Sequence, residues 1–178
     1  KTGKPVLLGG NIGKALSEEA DHLPKEGFVV LEVSSYQLET TVDFRPHIGG
    51  VLNFTPDHLD RHKTMENYQK MKEKLFANQR SEDILFLNQA DPVVSKMGSQ
   101  AESKVFFFDS QSPVAQGVWG DSIGLWHNLN GVAERIVLWT ESPLMGIHNR
   151  ENIAMAAGLA LCAGLQVDLV REAIQEFS

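Results

Sequence analysis

The stretch Phe28–Arg61, FVVLEVSSYQLETTVDFRPHIGGVLNFTPDHLDR, decides how the rest of the chain is read. It holds two apolar runs rich in β-branched residues, Phe28–Leu31 and Ile48–Phe54, and each leads into a polar cluster. Glu32, Ser34, Ser35, Tyr36 and Gln37 follow the first run, while Asn53, Thr55, Asp57, His58, Asp60 and Arg61 accompany the end of the second. Unbroken apolar runs mark strands buried on both faces of a parallel sheet, and ligands bind beyond the carboxyl ends of such strands. The pattern therefore predicts an α/β domain in which two strand ends stand side by side and form one site.

Upstream, Val6–Leu8 reads as a short strand ending in Gly9-Gly10-Asn11-Ile12-Gly13, and Ala15–Leu23 as a helix. A phosphate loop of the G-x-x-x-x-G-K-[ST] type ending at Gly13-Lys14 would need Gly at position 8 and Ser or Thr at position 15. The chain has Leu8 and Ala15, so the cluster is read as a tight glycine turn from strand to helix. Downstream, Thr64 fits the N-cap of a helix over Met65–Asn78, on which Met65, Tyr68, Lys72, Leu75 and Phe76 share one face. Lys72 is the odd member of that apolar stripe. It either snorkels its amine to the surface or has a task inside.

Asp83–Asn88 and Lys104–Phe108 are further buried-type strands. Gly124–Leu129 and Val132–Trp139, joined at Asn130-Gly131, predict an antiparallel hairpin with a primed turn, set in a small sheet of its own. A long helix is expected from His148 through Ala163, closed by Gly164, and a second over Leu169–Phe177 with Asp168 as its N-cap. Strand, helix, strand in repeated order gives a three-layer α/β domain with a mostly parallel sheet and a small antiparallel hairpin sheet.

The 178 residues, 42% hydrophobic and 22% charged, suit one globular domain with a sizeable core. A formal charge of −7 argues against a general grip on nucleic acid or an anionic membrane. One cysteine, Cys162, excludes a disulfide framework and a cysteine metal cage within the chain. No apolar run approaches bilayer-spanning length and no signal-peptide pattern opens the sequence, so no membrane insertion and a cytoplasmic location are expected.

Several residue types carry chemistry. Glu32, at the end of the first run, could offer oxygen to a hard cation such as Mg²⁺ or stand as a solvated or capping glutamate. His58 and His62 would share a helix face, a spacing used by some zinc sites, but no Glu follows the first histidine and no third ligand is evident. A metal-dependent hydrolase centred on Asp57–His62 is therefore the lesser reading, and His58 as a single metal or substrate contact the better one. Ser34 and Ser35 suit a turn. Asn149 and Asn152, three apart at a helix start, could cap the helix through Asn149 or hydrogen-bond a heterocycle edge.

Taken together, Gly10–Gly13, Glu32–Thr41, Leu52–His62, Tyr68 with Lys72, and Gly146–Asn152 resemble, in this order and over nearly the whole chain, the Mur ligases. Within that family the SSYQLETT segment is similar to members that add D-glutamate to UDP-N-acetylmuramoyl-L-alanine. The resemblance implies ATP-driven amide formation through an acyl phosphate in peptidoglycan synthesis. It implies Mg²⁺ contacts at Glu32 and His58, and nucleotide-substrate contacts at Asn11, Ser34 and Gln37. It places Asn149 and Asn152 at adenine, and identifies Lys72 with the lysine that carbon dioxide converts to a carbamate, with Tyr68 one turn earlier helping to position the site. It further implies that the chain is the central ATPase domain, without the phosphate loop, the uridine-binding domain and the C-terminal domain of the family. A non-catalytic nucleotide- or partner-binding module on the same fold is the alternative.

Overall fold

The computed structural model describes residues 3–22, 25–56 and 59–177. Six strands form the main sheet: β3 (Ile48–Val51), β4 (Ile84–Asn88), β5 (Lys104–Asp109), β6 (Gly117–Gly120), β7 (Gly124–Asn128) and β8 (Glu134–Leu138), in that spatial order. Strands β3 through β6 pair in parallel, and β7 and β8 continue the sheet antiparallel. Two further strands, β1 (Val6–Gly10) and β2 (Phe28–Glu32), make a separate parallel pair.

Alternation along β4 explains the layers. Leu85 and Leu87 point to one face, where Val51, Phe54, Tyr68, Phe76, Val94 and Met97 form a core under α4 (Met65–Glu73) and α5 (Val94–Met97). Phe86 points to the other, into a core with Phe108, Val118, Ile136, Ile153, Ala154 and Ala157 under α6 (Ile147–Cys162) and α7 (Val167–Gln175). Successive side chains of a strand face opposite ways, so one apolar run feeds both cores. Gly158 of α6 lies directly over Phe86, where a Cβ would come within 2.5 Å of the ring.

The three-layer, mostly parallel α/β architecture is as the sequence implies, with several local differences. The hairpin is antiparallel but joins the main sheet through β6, a four-residue strand bounded by glycines that gave no periodic signal. Its turn is not of the primed type: Gly131 has φ +88°, but Lys63 alone among the described non-glycine residues has positive φ, and five residues, 129–133, connect the strands. Helix α4 ends at Glu73, because Leu75 and Phe76 donate to Lys72 and Glu73 and so tighten the chain into three-residue turns, with Phe76 still delivered to the core. Asp168 sits in the first turn of α7 beside Arg171, with Gln166 at the cap position.

The largest difference concerns β2, expected to be buried on both faces beside the second run. Val29 and Val30 are 43% and 50% exposed, and β2 hydrogen-bonds to β1 alone among the described strands. Apolar sequence fixed the strand, but burial needs neighbours on both sides, which the β1–β2 pair does not supply.

Candidate active site

The carboxyl ends of β1 and β2 are held level by close backbone approach. Gly10 pairs with Glu32, and Gly10 has φ +113°, a region that suits glycine. A Cβ there would meet the Glu32 carbonyl at 2.2 Å. The next residue, Asn11, donates its backbone N–H to that carbonyl at 2.7 Å. Asn11 and Glu32, both exposed, thus present their side chains from adjoining strand ends.

Beyond β2 the chain enters α2 (Ser35–Glu39) through a capping box. Ser34 Oγ accepts the Gln37 N–H at 3.3 Å, and Gln37 Oε1 accepts the Ser34 N–H at 3.0 Å. This reciprocal pair satisfies orphan donors at the helix start. It consumes part of the hydrogen-bonding capacity of both residues and leaves the Gln37 amide nitrogen as its outward donor.

The second polar cluster enters α3 (Leu59–His62), turns at Lys63 (φ +68°), and continues into α4 from the Thr64 cap. Asp57 and His58 lie outside the described residues, so the expected His58 contact has no structural counterpart to weigh. His62 is 6% exposed. Its Nε2 stands 2.9 Å from Ser35 Oγ, itself 5% exposed. Tyr36, His62, Tyr68 and Phe54 form a continuous row of stacked rings, with centroid separations of 5.5, 5.2 and 5.0 Å. Lys72 Nζ lies 5.2 Å from the centre of the Tyr68 ring, so the amine is neither solvated at large nor lost in the core. Arg61 reaches Glu39 at 3.0 Å and Lys74 Nζ donates to the Glu39 carbonyl at 2.7 Å, tying α2 to α3 and to the end of α4.

The structure therefore brings Ser34, Gln37, Tyr68 and Lys72 into one neighbourhood across α2, α3 and α4, with Asn11 and Glu32 at the adjoining strand ends. Glu32 has the oxygen chemistry that a hard divalent cation takes, and phosphate and water would complete such a shell. Among the described residues, no three His, Cys, Asp or Glu side chains converge as a metal cage. Asn149 and Asn152 are elsewhere, in the first turns of α6. Gly146 (φ +94°) occupies the N-cap position that Asn149 was expected to fill, and Asn149 Nδ2 instead donates back to the Met145 carbonyl at 2.7 Å. No described hydrogen bond or ring contact joins either asparagine to the α2–α4 cluster.

Sequence reasoning gave no role to the Ser35–His62 contact or to the ring row. The partners are 27 residues apart, and no local pattern predicts such a pairing.

The fold is a mostly parallel α/β sheet with helices on both faces, accompanied by a separate parallel pair of strands that ends at Glu32. Residues 14–160 match the family described as the Mur ligase middle domain, and the chain belongs to that family. It is 38% identical over 99% of its length to a UDP-N-acetylmuramoylalanine--D-glutamate ligase of a Thermoanaerobacter species, and 40% identical over 97% to the same-named ligase of Acidobacterium capsulatum. It spans 39% and 38% of those two proteins. Among solved structures it is similar to MurF from Acinetobacter baumannii, with TM-score 0.71, 17% identity, and coverage of 97% of this chain and 40% of that one. No described helix is long and apolar enough to cross a membrane.

Proposed function

We propose that this chain is the central ATP-binding domain of a cytoplasmic ligase that joins D-glutamate to UDP-N-acetylmuramoyl-L-alanine in peptidoglycan synthesis. The observation that carries the reading is the meeting of Ser34, Gln37, Tyr68 and Lys72 in one cluster, in a chain whose D-glutamate-ligase relatives align along almost all of it. Exposed apolar side chains on the β1–β2 pair, including Leu8 at 70% and Val6 at 59%, support further residues of the whole protein packing there.

In the reaction proposed, the γ-phosphoryl of ATP passes to the substrate carboxylate, and the D-glutamate amine displaces phosphate from the acyl phosphate to form the amide. Bound Mg²⁺ supplies charge neutralisation for the crowded phosphates. Glu32 and His58 are assigned to hold it. Asn11, Ser34 and Gln37 orient the nucleotide substrate, and Asn149 and Asn152 face adenine. Lys72 acts as its carbamate: the neutral amine adds to carbon dioxide, a proton leaves, and a cation becomes an anionic oxygen donor. The Tyr68 ring sets where that donor stands.

The test is phosphate release by the whole protein with ATP, Mg²⁺ and UDP-N-acetylmuramoyl-L-alanine, with D-glutamate present or omitted. Release that depends on D-glutamate is expected, as is loss of release on Lys72→Ala, and this chain alone should give no turnover. Release driven by a different amino acid, or none from the whole protein, overturns the assignment.

A further inference from the structure

We propose that His62 is a positioning residue of this site, coupling the substrate-binding turn at Ser34–Gln37 to the Tyr68–Lys72 pair on α4. The proposal rests on the D-glutamate ligase reading above and adds a residue to it. Strands β2 and β3 share no hydrogen bonds, so the register between Glu32–Gln37 and the α3–α4 segment depends on contacts between helices. Arg61 with Glu39 is a solvent-exposed link, with side chains 60% and 36% exposed, and is correspondingly weak. The Ser35–His62 contact is buried on both sides, at 5% and 6% exposure, and a buried polar group left without its partner is costly.

His62 acts in two directions. Through Nε2 it holds Ser35, the residue directly after the Ser34 cap. Through its ring face it supports Tyr68, 5.2 Å away centre to centre, whose own ring neighbours the Lys72 amine. These functions are separable. His62→Phe keeps a flat ring in the row and removes Nε2, whereas His62→Gln places an amide nitrogen near the position of Nε2 and removes the ring.

The experiment uses the whole protein and reads two quantities: calorimetric affinity for UDP-N-acetylmuramoyl-L-alanine without ATP, and turnover at saturating substrate. His62→Phe and Ser35→Ala should each weaken substrate affinity by about tenfold, the loss of one buried hydrogen bond, with turnover at saturation largely kept. Their combination should be no weaker than the weaker single variant, because each removes the same contact. His62→Gln should keep affinity near wild type and lose turnover several-fold. A merely structural role would instead lower turnover in all three variants in proportion to lost folded protein by circular dichroism, with affinity unchanged, and that result overturns the proposal. Additive losses in the double variant overturn it as well. A wild-type protein that binds and ligates while the variants match it removes only the role of His62. One that neither binds the nucleotide substrate nor uses D-glutamate overturns the ligase reading and this inference together.

Discussion

Replacing Asp83 with Asn keeps the shape of the side chain and removes its charge at a position only 1% exposed. One carboxylate oxygen accepts from Arg45 Nε at 2.6 Å and from the Arg80 N–H at 2.8 Å, and the other lies 3.2 Å from His47 Nδ1. The Arg45 hydrogen bond outweighs burial and, with help from Arg80 and His47, lowers the carboxyl pKa from 3.8 to about 2. At about 1.36 kcal/mol per pH unit, that difference contributes about 2 kcal/mol to stability. Because the folded-state pKa is the lower one, the unfolded chain takes up the proton first. The contribution is therefore complete above about pH 4 and disappears as the pH falls towards 2. Urea unfolding of the purified chain should find Asp83→Asn less stable by about 2–3 kcal/mol at pH 7, with Arg45 left short of a partner. Between pH 4 and 2 the gap should close, as the wild-type carboxyl also becomes neutral. A gap of the same size at pH 7 and pH 2 would mean that shape, not charge, holds Asp83, and the reasoning would fail.

Gly158→Ala should cost about 1–2 kcal/mol in the same assay, since the crowding against fully buried Phe86 exceeds the gain of roughly 1 kcal/mol in helix propensity; a stabilised variant would show that the ring can swing away. Burial raises the Cys162 thiol to about 11, so iodoacetamide at pH 8 should label the folded chain on the order of a hundredfold more slowly than the urea-unfolded chain, and equal rates would contradict this. Arg171 Nε donates to the Ile136 carbonyl at 2.6 Å and ties α7 to the edge strand β8. Arg171→Ala should lower stability by about 1 kcal/mol and speed amide hydrogen exchange along β8, with unchanged exchange there counting against the tie.

The two cores were legible because β4 and β5 are apolar runs with no polar interruption, and their side chains do alternate between α4–α5 and α6–α7. Strand β3 was legible despite Gly49 and Gly50, whose missing side chains leave room for Leu75 and Gln79 on one face and Met155 and Leu159 on the other. Strand β6 was not, since four residues opening and closing on glycine carry no period. The site divides in the same way. The Lys72 stripe is a local pattern, written in spacings of three and four, whereas Ser34 and Ser35 read only as a turn and the Ser34–Gln37 capping box emerges in the fold. The Ser35–His62 bond and the row Tyr36, His62, Tyr68 and Phe54 are products of tertiary packing, which brings together residues from an apolar run, a turn and two helices that no local pattern joins.

That division explains why the same residues carry two readings at once. Ser34 and Gln37 satisfy each other, so local chemistry accounts for both without any substrate. What local chemistry does not account for is the neighbourhood. A helix of five residues is too short to hold its position by its own hydrogen bonds, and α2 is fixed instead by its buried face, at Ser35 and Leu38, and by its ties to His62, Arg61 and Lys74. If stability alone had shaped this junction, an apolar pair of similar volume would serve at least as well as a buried hydroxyl and imidazole. A directional bond fixes orientation as well as distance, and orientation is what the roles proposed for Ser34, Gln37 and Lys72 would require, since the turn and the lysine stand on different helices. The buried polar pair at 35 and 62 is thus what the proposed coupling of α2 to the α3–α4 segment calls for.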